Sequence, residues 1–187
     1  MKGVYIMIYM VSGPIASGKG EVANAIRNAY GDSNVSIFVL SDLLRAEAKR
    51  MGLNVTRENL KAIGDEWRRQ MGVGVLGEKI IPLVSKLAQQ NKIVVIDSIR
   101  LCAEADVIRN VFTSSLFLFV EADERTRAQR VLSRARSDDK TIVDIPQTLQ
   151  QEWIDFELLG LKQMVDVIIN GSLPLAEIQQ KIQGIIK

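Results

Sequence analysis

The chain has 187 residues, with 24 Lys and Arg against 22 Asp and Glu, a net charge of +2, 47% hydrophobic and 25% charged residues. Those values fit one soluble globular domain, and the near-neutral balance argues against a generic nucleic-acid binder, which carries a strongly basic domain or stripe. There is no histidine and one cysteine, Cys102, which excludes Ser-His-Asp and Cys-His nucleophiles, histidine proton shuttles, an internal disulfide and a thiolate zinc site. Chemistry is left to Lys, Arg, Asp, Glu and backbone amides.

In chain order, the first apolar run, Val4 to Val11, is far shorter than the roughly 20 residues that span a bilayer. A glycine-rich loop follows it in place of a signal-peptide cleavage site, so a cytoplasmic protein without membrane contact is expected. This run reads as a strand, as do Val35 to Leu40, Lys92 to Asp97, Ser115 to Val120 and Val165 to Ile169. Short apolar strands alternating with amphipathic helices predict an α/β fold, a three-layer α/β/α domain with about five parallel strands.

The interval from Ser41 to Gln90 is too long for one crossover helix and is expected to hold about three, broken near Gly52 and around Gly72 and Gly74. It reads as a helical insert over residues 41–90 within a single domain. Met51, Met71, Leu76, Ile80, Leu83, Val84 and Leu87 have helical spacing and are expected in the core, and burial is expected for Trp67 and Trp153. A further helix is predicted from Asp123 to Ala135, with Arg125, Arg127, Arg130, Arg134 and Arg136 in or just beyond it. No aromatics are interleaved among these arginines for base stacking, which favours a phosphate contact over RNA. Another helix is predicted from Pro146 to Leu159, and Pro174 suits the first turn of a closing helix ending near Ile185.

The segment Gly13-Pro14-Ile15-Ala16-Ser17-Gly18-Lys19 has the spacing Gly-x-x-x-x-Gly-Lys, between a predicted strand and a predicted helix. In that context glycines let the chain wrap so that backbone N–H groups converge on phosphate oxygens, the helix N-terminus adds its dipole, and Lys19 bridges the outer phosphates. Gly20 stands where the general motif has a Ser or Thr hydroxyl for magnesium, and Glu21 follows it. A phosphate-bound Mg²⁺ keeps several waters, so one missing hydroxyl is tolerable. Asp97, ending the run Ile93-Val94-Val95-Ile96, is placed to hold such an ion through water, or alternatively to cap the next segment.

These residues resemble the adenylate kinase group of nucleoside monophosphate kinases within the P-loop NTPases. The family has Gly-Lys-Gly-Thr where this chain has Gly18-Lys19-Gly20-Glu21, and Gly-Asp-Leu-Leu-Arg where it has Ser41-Asp42-Leu43-Leu44-Arg45. The family turn Asp-Gly-Phe-Pro-Arg is similar to Asp97-Ser98-Ile99-Arg100, one residue shorter and without the proline. Short-lid members carry Arg-x-Asp-Asp, matched by Arg136-Ser137-Asp138-Asp139 in a lid expected over residues 127–145, with Arg130 and Arg134 before it. The arginine those enzymes place on the next helix has no counterpart among Thr148, Leu149 and Gln150. The tail Asp166 to Gly171 is also similar to dephospho-CoA kinases, and the whole is similar to an archaeal group related to adenylate kinases.

The resemblance implies an ATP- and Mg²⁺-dependent phosphotransferase acting on nucleotide substrates. ATP is then held by Gly13 to Glu21 with Asn170 and Gly171, and the acceptor by Ser41, Asp42, Arg45 and Arg100. The transferred charge is met by Lys19, Arg130, Arg134 and Arg136. Glu104, four residues after Arg100 where the family has a base-reading Gln, is expected to read the acceptor base. Two other readings stand beside it. One is a small-molecule kinase of dephospho-CoA kinase type, with Asp42 or Asp97 as base. The other is a slow nucleotide-dependent switch or RNA-associated ATPase, favoured by the missing Thr and the missing helix arginine.

Overall fold

The computed structural model describes residues 7–133 and 144–186. Its five strands, β1 (Ile8–Ser12), β2 (Val35–Val39), β3 (Ile93–Ile99), β4 (Ser115–Glu121) and β5 (Val167–Asn170), form one parallel sheet in the order β2-β3-β1-β4-β5. The central strand β1 is buried at every residue, which is why it is an apolar run without polar alternation. Ile8 and Met10 point to one core, Tyr9 and Val11 to the other, as the two-residue period of a strand requires.

The described residues hold α1 (Lys19–Tyr30), α2 (Leu40–Arg50), α3 (Arg57–Met71), α4 (Val75–Gln89), α5 (Cys102–Val111), α6 (Glu124–Ser133), α7 (Ile145–Asp155), α8 (Leu158–Met164) and α9 (Leu175–Ile185). α1 and α9 cover one face of the sheet through Val22, Ile26, Ile178 and Ile182. The other face is covered by α2 to α5 and α8, through residues such as Leu44, Ile80, Ile108 and Leu161. The three-layer α/β/α fold read from the sequence is therefore the fold observed. No helix among the described residues is long and apolar enough to cross a membrane.

The interval between β2 and β3 folds into the three expected helices, α2, α3 and α4, with breaks before Arg57 and at Gly72 to Gly74. Leu76, Ile80 and Val84 form the buried stripe of α4, with Leu87 and Trp67 partly buried beside it. Met51, Met71 and Leu83 are exposed, contrary to expectation. Met51 caps the end of α2, Met71 is the last residue of α3, and Leu83 lies off the four-residue row that packs. The helix expected from Pro146 to Leu159 is two helices, because Glu157 adopts φ 47° between them. Its carboxylate accepts a hydrogen bond of 2.9 Å from the Cys102 N–H, so the break supplies a cap to the start of α5.

Candidate active site

The glycine-rich loop lies at the C-terminal end of β1, where ligands of open parallel sheets bind. Gly13 has φ +139°, and a side chain there would lie 2.0 Å from the Val120 carbonyl oxygen of β4, so only glycine lets the chain turn this close to the sheet. Ala16 follows in the left-handed region at φ 59°. Gly18, also left-handed, begins α1 without a side-chain cap, leaving the helix N-terminus to an anion. Lys19 Nζ donates to the carbonyls of Gly13 and Pro14, both at 2.8 Å. Ser17 Oγ is buried with no hydrogen-bond partner among the described residues. An unpartnered hydroxyl, an uncapped helix start and a lysine folded over the loop fit a run of phosphates.

The loop after β5 packs against this cradle. A side chain at Gly171 would meet the Ser17 carbonyl oxygen at 1.9 Å. Arg130, on α6, donates from Nη1 to the Ala16 carbonyl at 3.2 Å and from Nη2 to the Gly171 carbonyl at 2.8 Å, tying the two loops together. The exposed Asn170 accepts from the Ser172 N–H at 2.9 Å. Gly20 has open space where a side chain would project, so the missing hydroxyl reflects no steric conflict.

Asp97 stands at the end of β3, next to β1. The register slips there: Val11 pairs with Asp97 but Ser12 with Ile99, leaving Ser98 as the extra residue, at φ 68°. This bulge matches the place where the resembled family has glycine, and bulges commonly re-aim side chains beside active sites. Ser12 Oγ fixes it by donating to the Ile99 carbonyl at 2.7 Å. Burial pushes the Asp97 carboxyl above its ordinary range, against the pull of Lys19.

Arg100 follows the bulge, its guanidinium 4.1 Å from the centre of the Phe156 ring. Burial, together with the charges of Arg57 and Arg45, lowers its pKa from the ordinary guanidinium value. Glu104, expected to read the acceptor base, is not among the residues that line the cleft. It is fully buried, and its Oε2 accepts from the backbone N–H groups of Arg100 at 3.0 Å and Leu101 at 3.3 Å. Its Oε1 lies 3.5 Å from Arg68 Nη2. The carboxylate reaches back across the first turn of α5 because the amides there need an acceptor, and it thereby holds the backbone of Arg100. Burial pushes its pKa up.

Arg45 lies on α2, one turn after Ser41, so that its Nη1 donates to Ser41 Oγ at 2.7 Å and to Asp42 Oδ1 at 2.9 Å. All three line a cleft of about 1470 Å³ whose other walls include Lys19, Asp97 and Arg100. The P-loop lysine and the two expected acceptor arginines are thus brought to one cavity. Arg57 and Arg68, both on α3, line it too, and were not singled out in the sequence because they sit in an ordinary charged helix. Arg134 and Arg136, with the Asp138 and Asp139 of the expected lid, lie outside the described residues.

A second pair was missed. Glu152 on α7 accepts from the Ile15 N–H of the loop at 2.7 Å, and its other oxygen accepts from Arg127 Nη1 on α6 at 2.5 Å. Both side chains are buried. Burial pushes the Glu152 carboxyl up, countered by the Ile15 N–H, Arg127 and Lys19. The residues stand 25 apart in sequence, one in an arginine-rich helix and one among polar residues, and no local spacing marks them as partners.

The chain is 28% identical to a UPF0200 protein of Pyrococcus horikoshii, over 96% of both chains. It is 26% identical to a UPF0200 protein of Thermococcus onnurineus, over 97% of both. Similar solved structures include shikimate kinase from Acinetobacter baumannii in complex with shikimate, at TM-score 0.58 and 15% identity, covering 97% of this chain and 92% of that one. A gluconokinase from Sinorhizobium meliloti matches at TM-score 0.57 and 20% identity, covering 96% and 91%. The expectation of an archaeal group built on a P-loop kinase fold holds. The AAA domain family model matches residues 12–145, from the end of β1 across the phosphate loop and β3 to the first residue of α7, and the chain belongs to that family of P-loop proteins.

Proposed function

We propose that the protein is an ATP-dependent phosphotransferase that passes the γ-phosphate to the phosphate of a nucleoside monophosphate. The observation that carries this reading is that Lys19 and the expected acceptor-side arginines Arg45 and Arg100 line one cleft. Phosphoryl transfer asks the protein mainly for positioning and charge stabilisation, which suits a chain without histidine. Lys19 exchanges two loop carbonyls for phosphate oxygens, and the amides at the start of α1 hold the phosphate run. Arg45, oriented by Ser41 and Asp42, and Arg100, oriented by Glu104 and Phe156, offer planar donors that match an acceptor phosphate. Asp97, at the end of β3 beside Lys19, would hold Mg²⁺ through water, and that ion would supply charge neutralisation on the phosphates. Arg130 closes the nucleotide side by joining the phosphate loop to Gly171.

A second reading takes a hydroxyl acceptor, as in a small-molecule kinase. It draws support from the shikimate-bound shikimate kinase among the similar folds and from Asp97, whose raised pKa suits a base beside Lys19. The deciding experiment follows ADP formation from ATP and Mg²⁺ with each nucleoside monophosphate, with shikimate and gluconate, and with no acceptor. Phosphorylated nucleotide that is lost by at least about a hundredfold in Lys19→Ala and Arg45→Ala supports the first reading. Turnover confined to a hydroxyl acceptor and indifferent to Arg45→Ala supports the second.

A further inference from the structure

The Pro14–Ile15 peptide group is held from both sides. Its carbonyl accepts from Lys19 Nζ at 2.8 Å, and its N–H donates to Glu152 Oε2 at 2.7 Å. Lys19 is the residue that reaches the outer phosphates in a loop of this type, so the peptide it grips lies at the outer end of the phosphate run. There an amide of the anion cradle is already bonded to an anion supplied by the protein. Glu152 is 7% exposed and Arg127 is 4% exposed, so this negative charge is screened little by solvent. The charged groups that act on it are Arg127, Lys19 and Arg100.

We propose that Glu152 is a specificity-determining residue that sets the preference between nucleoside triphosphate and diphosphate. Its carboxylate occupies the outer end of the phosphate loop and opposes the terminal phosphate of ATP, while the inner phosphates common to ATP and ADP bind at the uncapped start of α1. ATP seats fully only when Glu152 gives up the Ile15 N–H and keeps Arg127 alone. ADP leaves the carboxylate in place. This inference rests on nucleotide binding at the loop and is independent of the acceptor.

The test measures calorimetric affinities of the full chain for ADP and for a non-hydrolysable ATP analogue, each with Mg²⁺, in the parent and in Glu152→Gln. Glutamine keeps an oxygen for the Ile15 N–H and removes the charge. The expected result is a shift of about tenfold in relative affinity towards the triphosphate, with ADP affinity changed by less than about twofold. A residue that only braced the loop would change both affinities by the same factor, and that outcome overturns the proposal, as does no change in either. If Glu152→Gln does not fold, the Ile15 amide resonance of the parent decides. Displacement of that resonance by the triphosphate and not by ADP supports the proposal, and equal displacement by both overturns it. Absence of nucleotide binding in both proteins would overturn this inference together with the kinase reading, whereas good binding without acceptor turnover would overturn only the acceptor.

Discussion

At Gly20 the open space above the backbone separates two explanations for the missing hydroxyl. A steric one is ruled out, so Gly20→Ser is expected to fold with unchanged thermal stability and to lower the Mg²⁺ concentration for half-maximal turnover about threefold or more, since hydroxyl oxygen is a natural ligand of that ion. A magnesium titration of both proteins checks this, and an unchanged midpoint would place the ion away from α1. The loop residues were readable from the sequence because their function resides in backbone conformation, which glycine spacing reports directly. Glu104 was not, since a carboxylate near an expected acceptor arginine looks the same whether it faces a ligand or its own helix. Only the bonds to the amides of Arg100 and Leu101 distinguish the two.

Among the elements, the phosphate loop and the loop after β5 act as one piece, joined by the contact at Gly171 and the two bonds of Arg130. Gly171→Ala must push the Ser17 carbonyl aside, an overpacking expected to cost about 1–3 kcal/mol and to weaken ATP binding. Gly184→Ala in α9, where a side chain meets open space, is expected to gain about 0.5–1 kcal/mol because alanine favours helix. Denaturant midpoints of the two variants, moving in opposite directions, check this pair. Five strands and the three helices between β2 and β3 were legible because apolar runs and glycine breaks are local signals. The split between α7 and α8 was not, because Glu157 turns there to cap α5, a helix 55 residues away in the chain.

For the whole molecule, the absence of histidine leaves the carboxylates to shape stability in the acid and neutral range. Asp123 is held down to about 2, from an ordinary 3.8, by bonds from Thr126 and Ser172. Its contribution is complete above 3.8 and disappears as pH falls through 2. Glu104 and Glu152 are pushed up from an ordinary 4.5 by burial. Their folded forms bind more protons than the unfolded chain, so stability declines as pH rises above that value. Opposite slopes predict a stability maximum on the acid side of neutrality, and Asp123→Asn should flatten the acid limb only. Denaturant midpoints across the pH range test this, and a steady rise up to pH 8 would contradict it.

The chain has two tryptophans, and each belongs to a helix that contributes residues to the cleft. Trp67, beneath Lys79, belongs to α3 beside Arg68, and Trp153, 6.2 Å from Phe119, follows Glu152 on α7. Each of these two helices therefore carries its own intrinsic fluorophore. On the proposed reading, replacing one tryptophan at a time by phenylalanine turns emission into a helix-resolved record of ligand arrival, with acceptor binding expected to register at Trp67 and exchange of the Glu152 bond at Trp153.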